Sequence, residues 1–554
     1  MRKNIWFVLI IGGILLVSGI HLLGQTSPVQ AQRQSQNQQL QFDITNLKAL
    51  KPGAYSRDSI LAIFDSTKTK SPFLPSDSQK SVQWLVDFAR FASERLHNVQ
   101  KGYDIAYYDQ ISPKLNREMN RVTTKSIKGN AKVCGKQIVR FKIIPRNRIG
   151  SDDVPTRAPE LSGPPINQLT KQQVENLIGA ALSAIYSSGA SGGKDAIDWP
   201  MPSGVQFPGG FSQWAVNRVY FKGTTRPNDI RPSLARVAVL DTGMNSFKTY
   251  KGCQNMLPSE NRNVCTDDYA SPGLNNLVMK GHGTGVASVI AGETFENIQV
   301  GVAPGAQLWP MKVCGLSDFE LGRKVWTCPT PSVVEAICEA AAASPETRPD
   351  VINLSVSGFV PDYITRRAIQ DANAQGILVV SAAGNSGAPK SGSGLPDNRS
   401  NNYANPNAPM YPAAFANNGY PSIETAVAEQ EGQIYGLISV AATDINDQRF
   451  PYSSNNTGVT LSAPGQDVSV YSGDAKTLQL VSGTSFAAPY VSGAAAMMVA
   501  KIRSKTPSMN LKIDDVIRIK SILENTASFS QSTDCTDCGK GVLNITEALK
   551  AVTP

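Results

Sequence analysis

Histidine is scarce, with three in 554 residues, so few groups can act as a general base near neutral pH. His21 lies in an apolar leader and His97 falls on the polar side of an expected helix, which leaves His282. Long apolar runs are nearly absent too. Only Ile5 to Leu23, about 19 residues behind Arg2 and Lys3, approaches a bilayer span, and Val29-Gln30-Ala31 follows it as a cleavage signal. Residues 1–31 therefore read as an export signal or, if retained, as an N-terminal anchor. No other segment is apolar enough to span, and no internal repeat occurs.

In an exported chain the eight cysteines can form up to four bridges. Cys253 and Cys265 are the best pair, enclosing a short polar stretch where a bridge stabilises by about 3 kcal/mol through loop entropy. Cys314 can pair with Cys328 or with Cys338, and Cys535 with Cys538. Cys134 has no evident partner and reads as a buried free thiol. Cys535 and Cys538 lack the second ligand pair of a zinc site and the strand–helix setting of a redox motif.

The net charge of +9 is unevenly placed: residues 32–195 carry 24 Lys and Arg against 14 Asp and Glu, and residues 196–554 carry 27 against 30. Basic charge confined to the N-terminal part reads as a solvated surface and gives no footprint for nucleic acid. Residues 32–40 are a polar leader. Beyond them an N-terminal α+β segment is expected, with an amphipathic helix near residues 82–97, a strand near 137–144 and a helix around 171–185. The run Ser187 to Gly193, followed by Pro200, Pro202 and Pro208, reads as a flexible boundary. The expected divisions are thus 1–31, a basic accessory region 32–195, and a larger α/β domain 196–554. In the last, apolar runs alternate with helical segments, the pattern of a doubly wound parallel sheet with crossover helices.

Chemistry gathers where those strands end. Asp241 closes the apolar run VAVL and opens Asp-Thr-Gly. A second Asp-Thr-Gly or Asp-Ser-Gly is missing, so a single-chain aspartic protease, which needs two such carboxylates, fails. His282 stands in GHGTGVASVIAG, between two glycines that allow close approach. Ser485 stands in SGTSFAAPYVSGAAA, where a helix start aims backbone amides at its hydroxyl; the plain reading of such a serine is a helix cap. Asn385 ends ILVVSAAGN before Ser386-Gly387, which by itself is turn chemistry. Together the four supply a nucleophile, a base, an orienting acid and an amide donor, the parts that acyl transfer needs.

VAVLDTG, GHGTGVASVIAG, DVINLSVSG, VVSAAGNSG and SGTSFAAPYVSGAAA, in that order, resemble the successive signatures of the subtilase family, and the likeness extends over about residues 200 to 550. It implies a subtilisin-type fold and hydrolysis of protein or peptide substrates through an acyl-enzyme. Asp241 would orient His282, His282 would take the proton of Ser485, and Asn385 with the Ser485 amide would hold the oxyanion. Ser355, Val356, Ser357 and Gly358, with Ala382, Ala383 and Gly384, would line the primary specificity pocket and offer a strand edge to substrate. No cofactor is needed for that chemistry; structural calcium is a family expectation without a matched ligand set. Secreted relatives carry a propeptide that assists folding and blocks the cleft, and residues 32–195 occupy that place. The chain is then a zymogen that is exported, and it touches membrane only if residues 5–23 are retained.

Overall fold

A computed structural model describes residues 55–64, 83–107, 134–145, 166–187, 191–200, 211–220, 227–256, 281–387, 409–416 and 433–553, with short gaps inside the larger spans. Residues 1–31, Cys253, Cys265 and Cys535 lie outside them.

The N-terminal part runs β1 (Tyr55–Phe64), α1 (Gln83–Leu96), β2 (Tyr103–Tyr107), β3 (Gln137–Pro145), α2 (Lys171–Tyr186), β4 (Ser191–Pro200). β1 pairs antiparallel with both β3 and β4, and β2 with β3. The spatial order 4-1-3-2 with two crossover helices is a split β-α-β fold. Period 2 on the strands separates the two faces. Ile60, Ala62, Phe64, Val139 and Phe141 pack under α1 and α2, with the Phe64 and Phe88 rings edge to face at 4.7 Å. α2 starts at a capping box: Thr170 Oγ1 accepts the Gln173 amide at 3.3 Å, and the Gln173 side chain accepts the Thr170 amide at 2.8 Å.

The remainder begins with α3 (Trp214–Val219), β5 (Arg236–Asp241), β6 (Gln254–Asn255) and α4 (His282–Ala291), then a small hairpin, β7 (Thr294–Phe295) and β8 (Ile298–Gln299). β9 (Gln307–Lys312), β10 (Gly315–Glu320), β11 (Arg323–Pro329), α5 (Thr330–Ala342), β12 (Val351–Leu354), β13 (Val356–Ser357), α6 (Tyr363–Ala374) and β14 (Leu378–Ala382) follow. β15 (Leu437–Thr443), β16 (Leu461–Pro464), the hairpin β17 (Val468–Tyr471) and β18 (Leu478–Val481), α7 (Thr484–Lys505), α8 (Ile513–Thr526) and α9 (Ile545–Ala551) complete it. Seven parallel strands lie in the order β16-β15-β14-β12-β5-β9-β6. After β5 the chain moves to β9 on one side and then returns to β12 on the other, so the doubly wound order switches at β5.

Both faces of this sheet are covered, and its strands are continuously apolar for that reason. Val237, Val239, Val351, Val380 and Val440 face α4 and α7; Ala238, Leu240, Ile352, Leu354 and Val379 face α5 and α6. α7 is locked at its far end, where Arg503 grips Asp350, the residue before β12, through bonds of 2.7 and 2.5 Å.

Two expectations are corrected. Gly192 and Gly193, expected within a flexible boundary, lie instead in β4, which begins at Ser191. β4 pairs with β1 on one side, with β11 through Asp198 and Ile197, and with β13 through Pro200 and Trp199. Cys134 is no free thiol either: it is bonded to Cys338 of α5, which leaves Cys314 with Cys328. Cys538 is also disulfide-bonded. Around Cys134 the outer face of the N-terminal sheet, Leu61, Ile63 and Ile138, joins the apolar cluster of α5 and α6, and the Cys134 amide donates to Asp371 of α6 at 2.8 Å. Apolar burial, main-chain pairing and a covalent bond thus join the N-terminal sheet to the larger domain.

The bridge spans a sequence separation of 204, for which chain entropy gives a stabilisation of about 5 kcal/mol. A chain cut at a single engineered site between residues 200 and 211 is therefore expected to run as one species without reductant and as two with it. The Cys338→Ser variant should run as two under both conditions. Separation of the wild-type pieces without reductant would show that the bridge does not form.

Candidate active site

The polar residues at the carboxyl edge of the sheet converge at the switch in strand order. Asp241, the last residue of β5, is anchored through its own carbonyl, which accepts the Val313 and Cys314 amides at 2.8 and 3.1 Å. Its Oδ1 accepts the Thr242 amide at 2.7 Å and meets His282 Nδ1 at 2.7 Å. His282 opens α4 and is wholly buried, and Asp241 is 1% exposed. An acceptor at that distance places the imidazole proton on Nδ1, which makes Nε2 the basic nitrogen.

The glycines around His282 are demanded by packing. Gly281 has φ +79°, and a Cβ there would run into the backbone of Gly473; a Cβ on Gly283 would strike the Gly243 carbonyl and lie 3.1 Å from Asp241 Cβ. A larger residue at position 283 would push the His282 loop from the carboxylate, and one at 281 would push it from Gly473.

Ser485 is the second residue of α7 and is fully buried. Its neighbour Phe486 brings the two helix starts together, with its ring 5.3 Å from the His282 ring. The Ser485 hydroxyl donates to the Ser355 carbonyl at 3.2 Å, while Ser355 Oγ donates to the Ser485 carbonyl at 2.7 Å. Beneath them Asn353 Nδ2 donates to Ser355 Oγ at 3.0 Å, and Ser492 Oγ donates to Asn353 Oδ1 at 2.8 Å. Ser355, expected in the pocket wall, thus also clamps the start of α7.

Asn385 follows β14, and its amide is oriented without ambiguity. Thr484 N is a donor only, so the atom 2.9 Å from it must be Oδ1, which also accepts the Thr484 hydroxyl at 2.8 Å. That hydroxyl accepts the Gly384 amide at 3.1 Å in turn. Nδ2 then faces the Gly483 side: a Cβ on Gly483, whose φ is +151°, would stand 2.9 Å from it. A side-chain donor and the amide-rich start of α7 consequently border one small region.

The expected substrate edge is Val356–Ser357, and β4 already pairs with it, Val356 opposite Pro200 and Ser357 opposite Trp199. Gly358 exchanges main-chain bonds of 2.8 and 2.7 Å with Tyr411. Ala382 ends β14, Ala383 N donates to Val440 O at 2.9 Å, and Gly384 packs on Met410 and Ser454. Sequence reading missed Thr484, Asn353 and Ser492. A periodicity signal was present: Asn353 lies two residues from Ser355 on a strand, and Ser492 seven from Ser485 on a helix, each on the same face. Among the described residues no group of three His, Cys, Asp or Glu is arranged to hold a metal, so calcium rests on family expectation alone. No helix among them is long and apolar enough to cross a membrane.

Comparison with known proteins bears on this arrangement. The family model described as "Subtilase family" matches residues 234–544. Subtilisin Savinase of Lederbergia lenta is 29% identical over 340 residues, covering 61% of this chain and 98% of that protein. The alkaline protease of Alkalihalobacillus alcalophilus is 29% identical over 340 residues, 61% of this chain and 70% of its own length. Subtilisin E of Bacillus subtilis is 28% identical over 345 residues, 62% of this chain and 71% of its own. With more than half its length matched by the family model, and with the sheet, switch point and polar edge described above, the chain belongs to the subtilase family of serine endopeptidases.

Proposed function

We propose that this chain is an exported endopeptidase that hydrolyses proteins or peptides through an acyl-enzyme on Ser485, and that its N-terminal unit holds it latent. The observation that carries the reading is the buried Asp241–His282 hydrogen bond beside the start of α7.

In this reading the Ser485 hydroxyl turns from the Ser355 carbonyl to His282 Nε2 as substrate arrives, and its oxygen attacks the scissile carbonyl while Nε2 takes the proton. Charge now sits on the imidazolium, which Asp241 stabilises through Nδ1–H without itself being protonated. The carbonyl oxygen, turned oxyanion, lies against the Ser485 amide and Asn385 Nδ2, whose direction is fixed by the two bonds from Thr484. Collapse expels the amine with the proton from Nε2, and a water activated by the same nitrogen releases the acid.

Substrate adds as a strand to β13. Its main-chain groups would pair where β4 now pairs, so β4 and substrate compete for one edge. β4 is continuous with a folded unit that is bonded to α5, which gives it a high effective concentration at the cleft. Two bridges with both partners described support an oxidising destination and hence export.

A fluorophosphonate probe is expected to label the full chain at Ser485 once β4 is displaced by limited proteolysis, and to leave Ser485→Ala and His282→Ala unlabelled. Folded, proteolysed protein with unmodified Ser485 would end the enzyme reading. Asn385→Ala should lower kcat by about 10²–10³-fold with little change in KM, a magnitude established on subtilisin rather than obtained from this geometry; an equal loss in KM would move Asn385 out of the oxyanion site. Peptide hydrolysis should rise by about tenfold or more when the N-terminal unit is cut away. Equal rates before and after would remove its inhibitory role.

A further inference from the structure

Met410 is completely buried, although it borders the region assigned to the substrate's primary side chain. Its backbone is pinned on two sides: its carbonyl accepts the Ala414 amide at 2.8 Å, and the next residue, Tyr411, exchanges bonds of 2.8 and 2.7 Å with Gly358. Its side chain lies on the opposite wall. A Cβ on Gly384 would collide with Met410 Sδ and lie 2.9 Å from its Cγ. Ser454 Oγ reaches the same sulfur at 3.5 Å and the Ser386 hydroxyl at 2.7 Å, while the Ser454 amide donates to the Gly384 carbonyl at 2.8 Å.

Met410 therefore touches both segments between which a primary side chain would insert, Ser355–Gly358 through its neighbour Tyr411 and Ala382–Gly384 through its thioether. Methionine is adaptable in principle. Here its main chain is held by its own carbonyl and by the following residue, and its sulfur rests against a backbone with no side chain to yield. Gly384 has φ +105°, a conformation that other residues rarely adopt, and a Cβ there would meet the Met410 sulfur.

We infer that Met410 is the specificity-determining floor of the primary pocket, and that the enzyme cleaves after small residues, glycine, alanine or serine, discriminating against large aromatic and aliphatic ones. This rests on the endopeptidase reading above. A side chain the size of phenylalanine can enter only if the thioether leaves Gly384, and discrimination of about 10–200-fold attends even one methylene of misfit in an apolar pocket.

The test uses the full chain after the limited proteolysis described above, with two peptide p-nitroanilides that are identical except for alanine or phenylalanine at the cleaved position. The ratio of their kcat/KM values is independent of the active fraction. Wild type is expected to favour alanine by at least about tenfold. Met410→Gly should shift the ratio toward phenylalanine by at least about tenfold, and Met410→Leu, of similar size, should keep the wild-type preference. Wild-type hydrolysis of both peptides at similar kcat/KM overturns the inference, as does an unchanged ratio in Met410→Gly; the endopeptidase reading survives either result. Failure to hydrolyse both, with Ser485 resisting the fluorophosphonate, removes the endopeptidase reading and this inference with it.

Discussion

A hydrogen bond of 2.7 Å between a carboxylate and an imidazole, both shielded from water, is the constraint on which this molecule turns. Burial of such polar groups is costly unless they are paired, and here each has a fixed partner. Asp241 is held by the end of β5, by the Thr242 amide and by the chain that follows β9. His282 is held because Gly281 and Gly283 let its loop lie directly on neighbouring backbone. The parallel sheet supplies the rigid frame, and its reversal of strand order opens the edge where these groups meet.

The same edge organises the nucleophile. α7 is clamped at its start by Ser355 and at its end by Asp350, so the position of Ser485 is referred to β12, the strand paired with β5. Asn353 and Ser492 complete a buried polar chain beneath it, and satisfied networks of this kind rigidify a core. Thr484 does the equivalent for Asn385. Each group proposed for the chemistry is thus held by a hydrogen bond to a neighbouring polar residue.

The N-terminal unit uses different physics. Its aromatic inner face forms a core of its own, which is why a split β-α-β unit can form beside the larger domain. Its outer face is apolar too and closes on α5 and α6. Strand pairing and the Cys134–Cys338 bond then fix β4 along the edge that a substrate strand would use.

Much of this was legible in sequence, and the failures have causes. The helices expected near residues 82–97 and 171–185 and the strand near 137–144 form as α1, α2 and β3, and the alternation of apolar runs with helical segments is the doubly wound sheet, because a sheet buried on both faces leaves an unmistakable pattern. Gly-rich spacing marked Asp241, His282, Asn385 and Ser485. β4 was misread because Gly192 and Gly193 look like a turn when their partners on β1, Ala62 and Leu61, are about 130 residues away in the sequence. The partner of Cys134 was hidden for the same reason, since pairing over long separations carries no local signal. Met410 stood out only once Gly384 was seen against it. The most direct measurement of the whole arrangement is a crystal structure of the phosphonylated enzyme. It is expected to show His282 Nε2 within about 3 Å of the Ser485–phosphonate ester oxygen, and the phosphoryl oxygen between Asn385 Nδ2 and the Ser485 amide. An adduct whose phosphoryl oxygen points away from Asn385, with the imidazole turned from Ser485, would contradict it.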